Sequence, residues 1–348
     1  RKMKIVQGKS INLALSDRGW KGLIGAGVEA EIHKVAIPMY GRLMHAVDGT
    51  LTYQAYGKEG QAIYSVSRGL LNQTLLNCAS QFPNVEMFFE HKCDDVNLVD
   101  KQVSFDTPSG SAQFKFDRLL GTDGAFSAVR NRMMRLDRFD YSQKYLGHGY
   151  KELEIPANPD GTHQLRDDCL HIWPRGRFML IALANEDGSF TCTLFMPHEG
   201  GENAFDKLTS KEAVDNFFKT TFPDFYEMMP NIADAWEDHP LSNLAIIRCY
   251  PWTNGKVALM GDAAHATVPF YGQGMNAGFE DCTVMNRLMH KHNHDWDSIF
   301  AEYSTERKPD GDALQDLSVD NYYVMRDYVA DPAFILRKKI EAKFSEIG

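Results

Sequence analysis

The chain has 348 residues, of which 43% are hydrophobic, 24% charged and 11% aromatic, and its formal charge is −10. That length allows two domains, and the acidic balance argues against nucleic acid as a partner, because phosphate binding needs a concentrated basic face and the longest basic run is Arg337-Lys338-Lys339. Six scattered cysteines without a C-x-x-C pair favour buried free thiols over a disulfide framework, and no apolar run is long enough to cross a bilayer.

Residues 18–35 carry apolar positions at helical spacing, which predicts a short helix. Gly25 to Ala30 match G-x-G-x-x-A, but no buried strand precedes them, so they read as helix and turn rather than a phosphate loop. The text from 38 to 66 is strand-like with turns at Asp48-Gly49 and Gly57, and 70–82 is an amphipathic helix ended by Pro83-Asn84. A strand over 85–99, a hairpin over 102–117 and a strand at 118–123 follow. From 150 to 250 the texture is β-rich, interrupted by a helical patch at 210–229, which suggests an antiparallel sheet that carries a substrate. Beyond 274 helices dominate. The cluster His290-Lys291-His292-Asn293-His294 reads as a solvated helix end, and no metal site is expected.

Two junctions carry chemistry. The apolar run Val257–Met260 ends in Gly261-Asp262, placing a carboxylate at the carboxyl end of a strand, where α/β folds bind ligands. Gly272, Gly274 and Gly278 then bracket a helix start, whose free N–H groups and dipole suit negative charge. In the second junction, Leu119-Leu120-Gly121 leads to Asp123-Gly124 and a helix bearing Arg130, with Asp123 placed to cap it. Taken singly, either could be an ordinary capped βα turn.

Together, D-G-x-x-S-x-V-R at 123–130 and G-D-A-A-H-x-x-x-P-x-x-G-Q-G-x-N at 261–276 resemble the flavin-dependent aromatic hydroxylases. The stretches SINLALSDRG, SVSRGLLN, FDYSQKYLGHGYKELEIP, LHIWPRGRFMLIAL, SFTCTLFMP and NYYVMRDYV are similar to the branch that hydroxylates kynurenine, over about residues 8 to 335. The resemblance implies an α/β fold in which a Rossmann-like FAD-binding domain (1–37, 61–146 and 249–302) is interleaved with an antiparallel β-sheet substrate domain (38–60 and 147–248). A helical segment (303–348) completes it. It implies tightly held, non-covalent FAD, NADPH and O2 as co-substrates, and conversion of L-kynurenine to 3-hydroxykynurenine through a flavin 4a-hydroperoxide. Leu13, Ala14, Arg68, Asp123, Asp262, Gly274, Met275 and Asn276 would serve FAD, with Asp262 on the ribityl chain. Arg42 would bind the substrate carboxylate with Tyr56 and Asn321 beside it, and Pro269, Phe270 and Met325 would line the ring pocket. Val324 stands where relatives carry a glutamate.

In that family a strand, G-x-G-x-x-G turn and helix grip the FAD pyrophosphate, and this unit would lie ahead of Arg1. A C-terminal region that anchors eukaryotic members to the mitochondrial outer membrane, cytosolic face, would lie beyond Gly348. The resemblance allows a homodimer. Two other readings stay open: a hydroxylase for another aromatic, and a non-catalytic binding protein of the GDP-dissociation-inhibitor type.

Overall fold

The computed structural model describes residues 12–58 and 60–324, with 336, 337, 340 and 344. β1 (Asn12–Leu15) leads into α1 (Asp17–Gly25). The helix expected over 18–35 is broken, because Gly27 adopts φ +71°, the left-handed turn that ends a helix, and α2 (Glu29–His33) starts afresh. The glycine-rich match at 25–30 is therefore a helix end and turn. β2 (Ala36–Met39) precedes the hairpin of β3 (Gly41–His45) and β4 (Leu51–Ala55). β5 (Ile63–Ser67) pairs antiparallel with both β1 and β2, and α3 (Arg68–Ala79) starts directly from its end.

β6 (Lys92–Asn97), β7 (Gln102–Thr107) and β8 (Gly110–Lys115) form an antiparallel meander. The strand expected from Val85 is shorter: pairing begins at Lys92, and Val85, Phe88 and Phe89 remain 42–48% exposed. β9 (Leu119–Gly121) and α4 (Ala128–Met133) complete this half. The long β10 (Asp140–Ile155), β11 (Cys169–Pro174), β12 (Met179–Ala184) and β13 (Phe190–Pro197) then build the main sheet.

α5 (Lys211–Thr221), capped by Ser210, α6 (Pro223–Met228), with proline at its first turn, and α7 (Ile232–Ala235) cover one face of that sheet. Phe217, Phe218, Phe222 and Phe225 pack there on Leu153, Leu180 and Leu194. β14 (Leu241–Tyr250) closes a seven-stranded order β14-β10-β13-β12-β11-β3-β4, antiparallel except between β11 and β3.

β15 (Thr253–Asn254) and β16 (Val257–Leu259) follow, then α8 (Asp262–His265), α9 (Gly274–Lys291) and α10 (Trp296–Tyr323). Val257, Leu259, Met285, Leu288, Phe300 and Tyr303 form their shared core. β16 pairs in parallel with β9, Val257 opposite Leu119 and Leu259 opposite Gly121, so the two chemical junctions sit side by side.

Candidate active site

The first junction is self-capping. Asp123 accepts from the Ser127 hydroxyl at 2.5 Å and from the N–H groups of Ala128 and Val129 at 2.7 and 3.2 Å, so both its oxygens are engaged at the start of α4. Arg130, buried, donates to the carbonyls of Ala263 (2.8 Å) and Ala125 (2.6 Å) and lies over the Tyr141 ring. It thereby ties the Asp-Gly motif to α8. Sequence reading placed Arg130 on the helix without this task, since its partner is 133 residues away.

The second junction presents a free acid on a fixed base. Gly261 takes φ +57° and ψ −143°, a conformation that disfavours a side chain, and Asp262 follows exposed, its carboxylate without a partner among the described residues. The base is a buried charge network. Asp281, fully buried, accepts from Gly261 N–H (2.8 Å), His265 Nε2 (2.7 Å) and Arg307 Nε (2.8 Å). Burial pushes the Asp281 carboxyl up, but His265, Arg307 and the Gly261 N–H outweigh it and hold it below the ordinary carboxylate range. Arg307 also meets Glu280 and Asp310, each at 2.9 Å. Sequence reading assigned no role to Asp281 or Arg307, and His265 entered there only as a letter of the motif at 261–276.

The start of α9 faces β1. Among the described residues no side chain caps this 18-residue helix, and its leading N–H groups, like those of any helix start, have no intrahelical acceptors. Gly274 and Met275 lie there, half-buried. The Asn276 side chain is buried and points inward: its oxygen accepts from Ser16 N–H (2.9 Å), and its amide donates to the carbonyls of Ala14 (2.8 Å) and Gly272 (2.9 Å). Gly19 permits this approach, since a Cβ there would lie 2.4 Å from Asn276 Oδ1. Leu13 and Ala14 are half-buried on β1. The pairing of Asn12 with Ser67 brings Arg68, exposed at the start of α3, beside the other end of that strand. Arg68, Asn72 and Leu75 line an open cleft of about 400 Å³. An unpartnered carboxylate, an uncapped helix start and this cleft suit the hydroxyls, the electron-accepting ring and the phosphates of a flavin nucleotide.

The substrate-side residues form two groups. On β3 the Arg42 guanidinium lies 5.4 Å from the Tyr56 ring centroid, and its Nε is buried without a hydrogen-bond partner among the described residues. An orphaned buried donor of this kind calls for an acceptor. Burial pushes the Tyr56 hydroxyl up to about 12 against the opposing pull of Arg42, so it stays protonated and able to donate. In the second group, Pro269, Phe270 and Tyr271 form a single turn, with Pro269 exposed and Phe270 buried. Asn321 donates from Nδ2 to the Phe270 carbonyl. Met325 lies outside the described residues, and Val324 is half-buried at the end of α10.

Behind β3 lies a network that sequence reading did not find. His171 Nε2 donates to the Arg166 carbonyl (2.7 Å), its Nδ1 meets His45 Nε2 (2.9 Å), and His45 Nδ1 meets Asp224 Oδ2 (2.8 Å), which also accepts from Trp173 Nε1 (2.8 Å). Burial pushes His171 down to about 4, so it is neutral at physiological pH. The three residues at 45, 171 and 224 share no spacing signal.

A family model described as an FAD binding domain matches residues 13–318. The kynurenine 3-monooxygenase of Flavobacterium johnsoniae is 51% identical over 342 residues, covering 97% of this chain and 76% of that protein. The chain belongs to the kynurenine 3-monooxygenase family. The family's Dictyostelium discoideum member is 46% identical over 350 residues, covering 97% of this chain and 75% of its own length. Among solved structures, the tetrameric form of 2-methyl-3-hydroxypyridine-5-carboxylic acid oxygenase matches with a TM-score of 0.75 at 19% identity, over 96% of this chain and 87% of that one. The fold is the FAD-binding flavin hydroxylase fold, mixed α/β with antiparallel sheets and C-terminal helices. As a member of the kynurenine 3-monooxygenase family the chain is a flavin monooxygenase acting on an aromatic, with FAD as its cofactor, which sets aside the non-catalytic alternative. No helix among the described residues is long and apolar enough to cross a membrane.

Proposed function

We propose that the enzyme hydroxylates L-kynurenine at the ring carbon ortho to its amine, consuming NADPH and O2 and giving 3-hydroxykynurenine. The observation that carries this reading is the buried Arg42 Nε, a donor with no acceptor among the described residues, beside the protonated Tyr56 hydroxyl. A planar cation beside a neutral O–H donor suits an amino-acid carboxylate, which can take a bidentate pair from the guanidinium. FAD, when bound and reduced, supplies the activated oxygen.

The chain's own residues bind and orient. Asp262 would accept from ribityl hydroxyls. The start of α9 at Gly274, Met275 and Asn276 would offer N–H groups and its dipole to charge on the flavin ring. Leu13 and Ala14 would line the ring's edge, and Arg68 would face the phosphate side. Asp123 would act through the α4 cap, which presents its loop to the nucleotide. Pro269 and Phe270 would wall the substrate ring and exclude water, and Asn321 would hold the Phe270 carbonyl that fixes this turn. No side chain need transfer a proton from the substrate, because an aniline ring is already electron-rich. The relatives' names, and no feature of the ring pocket, favour kynurenine over another aromatic.

The test is Arg42→Ala and Arg42→Lys in the FAD-loaded enzyme, with kynurenine binding followed by flavin fluorescence. Loss of a charge-assisted pair costs about 1.5–3 kcal/mol, or roughly 10–150-fold in affinity. Lysine should restore only part, lacking the planar fork. Unchanged affinity in Arg42→Ala would refute the assignment.

A further inference from the structure

We propose that Tyr322 and His148 act as a positioning pair, clamping the turn that carries Phe270 so that its ring holds the aromatic substrate at the flavin; this rests on the function proposed above. Three elements meet at that turn, which lies between α8 and α9. From α10, Asn321 holds the Phe270 carbonyl, and the next residue, Tyr322, sets its ring 4.6 Å from the Phe270 ring. From β13, Phe195 meets Phe270 at 5.0 Å. From β10, His148 receives the Tyr322 hydroxyl at Nδ1.

Hydrogen-bond logic orients this last bond. His148 Nε2 lies 3.0 Å from the Arg177 carbonyl, which can only accept, so Nε2 carries the hydrogen. In a neutral ring Nδ1 is then an acceptor, and Tyr322 is the donor. His148, Tyr322 and Phe270 are 4%, 5% and 7% exposed. The free space among them, Phe178 and Met179 is about 10 Å³, room for one water at most. In such packing Phe270 cannot turn unless Tyr322 moves, and the Tyr322 hydroxyl is held by the substrate sheet. The pair thus links the flavin-side loop, the substrate sheet and α10 through one ring. Oxygen transfer needs reacting atoms held to near-attack geometry, so loosening Phe270 should spoil transfer before it spoils binding.

The experiment uses the FAD-loaded enzyme with kynurenine and NADPH, and compares parent with Tyr322→Phe, which removes only the hydroxyl. The readouts are hydroxylated product formed per NADPH oxidised, hydrogen peroxide released, the kynurenine-induced change in the flavin absorption spectrum, FAD affinity and melting temperature. The expected result is product yield lowered at least threefold with the missing oxygen recovered as peroxide, an altered spectral change, and FAD affinity and melting temperature close to the parent's. His148→Asn, whose side-chain oxygen can still accept from Tyr322, should retain more of the yield than His148→Ala. Parent-like yield and spectrum in Tyr322→Phe would overturn the proposal, as would loss of FAD or a much lower melting temperature with parent-like yield in the folded fraction. If the parent oxidises NADPH without hydroxylating kynurenine, the substrate reading fails by itself; the yield is then measured with the aromatic that the parent does hydroxylate, and the same outcomes decide.

Discussion

Replacing Arg307 by methionine removes the guanidinium from the buried network beneath Gly261 while keeping much of the apolar stem. Its side chain is 2% exposed and its Nε bonds the fully buried Asp281 carboxylate at 2.8 Å. The carboxylate would keep the Gly261 N–H and His265 as donors but lose its permanent counter-charge, and breaking a buried pair in this way costs about 3–5 kcal/mol. The contacts to Glu280 and Asp310 lie nearer solvent, their partners 30% and 63% exposed, and add at most ~1 kcal/mol each. At roughly 2–4 °C per kcal/mol the melting temperature should fall by about 6–28 °C. Thermal and urea unfolding, followed by circular dichroism, measure this. Asp281→Asn combined with Arg307→Met should cost less than the sum of the two, by about 2 kcal/mol, because the second change removes the stranded charge. The folded carboxyl of Asp281 lies below its ordinary value, so its contribution is present above the ordinary carboxylate range and fades as pH falls through the folded pKa. Parent and variant should therefore converge in acid. A loss under 1 kcal/mol at neutral pH, or strict additivity in the double variant, would refute the role given to this network.

Asp262→Asn should leave unfolding unchanged, because the carboxylate has no partner among the described residues, yet weaken FAD binding by about 1.5–3 kcal/mol, measurable by flavin fluorescence quenching on titration. Gly19→Ala should destabilise by roughly 1–3 kcal/mol, since the new Cβ would lie 2.4 Å from Asn276 Oδ1; a neutral effect in urea unfolding would show that α1 yields freely. Tyr56, pushed up to about 12, should stay protonated through pH 10, so its share of kynurenine affinity should be flat from pH 7 to 10; a Tyr56-dependent loss centred near pH 10, absent in Tyr56→Phe, would contradict that.

What the sequence revealed was local chemistry. The strand, glycine, acid and helix start at 257–276 lie within twenty residues, so their order alone predicts a carboxylate beside an uncapped helix, and the structure has both. The broken helix near Gly27 and the late start of β6 depend on what neighbours a segment finds, and apolar text at 85–91 without a pairing partner stays out of the ladder. Partners far apart were invisible for the same reason. Asp281 has no partner within its own helix and gains its role only when Gly261, His265 and Arg307 are folded around it, and His45, on β3, meets Asp224 only because α6 packs on that sheet. Arg42 could not be told from a solvated arginine by spacing; the family resemblance singled it out, and the burial of its Nε beside Tyr56 is what distinguishes it physically.

The central claim is that this enzyme hydroxylates kynurenine on a flavin. Purified enzyme should show a flavin absorption band that kynurenine perturbs on titration, and on adding NADPH in air it should yield 3-hydroxykynurenine in proportion to the NADPH oxidised. A flavin band with no kynurenine response and no hydroxylated product, while another aromatic is turned over, would contradict it.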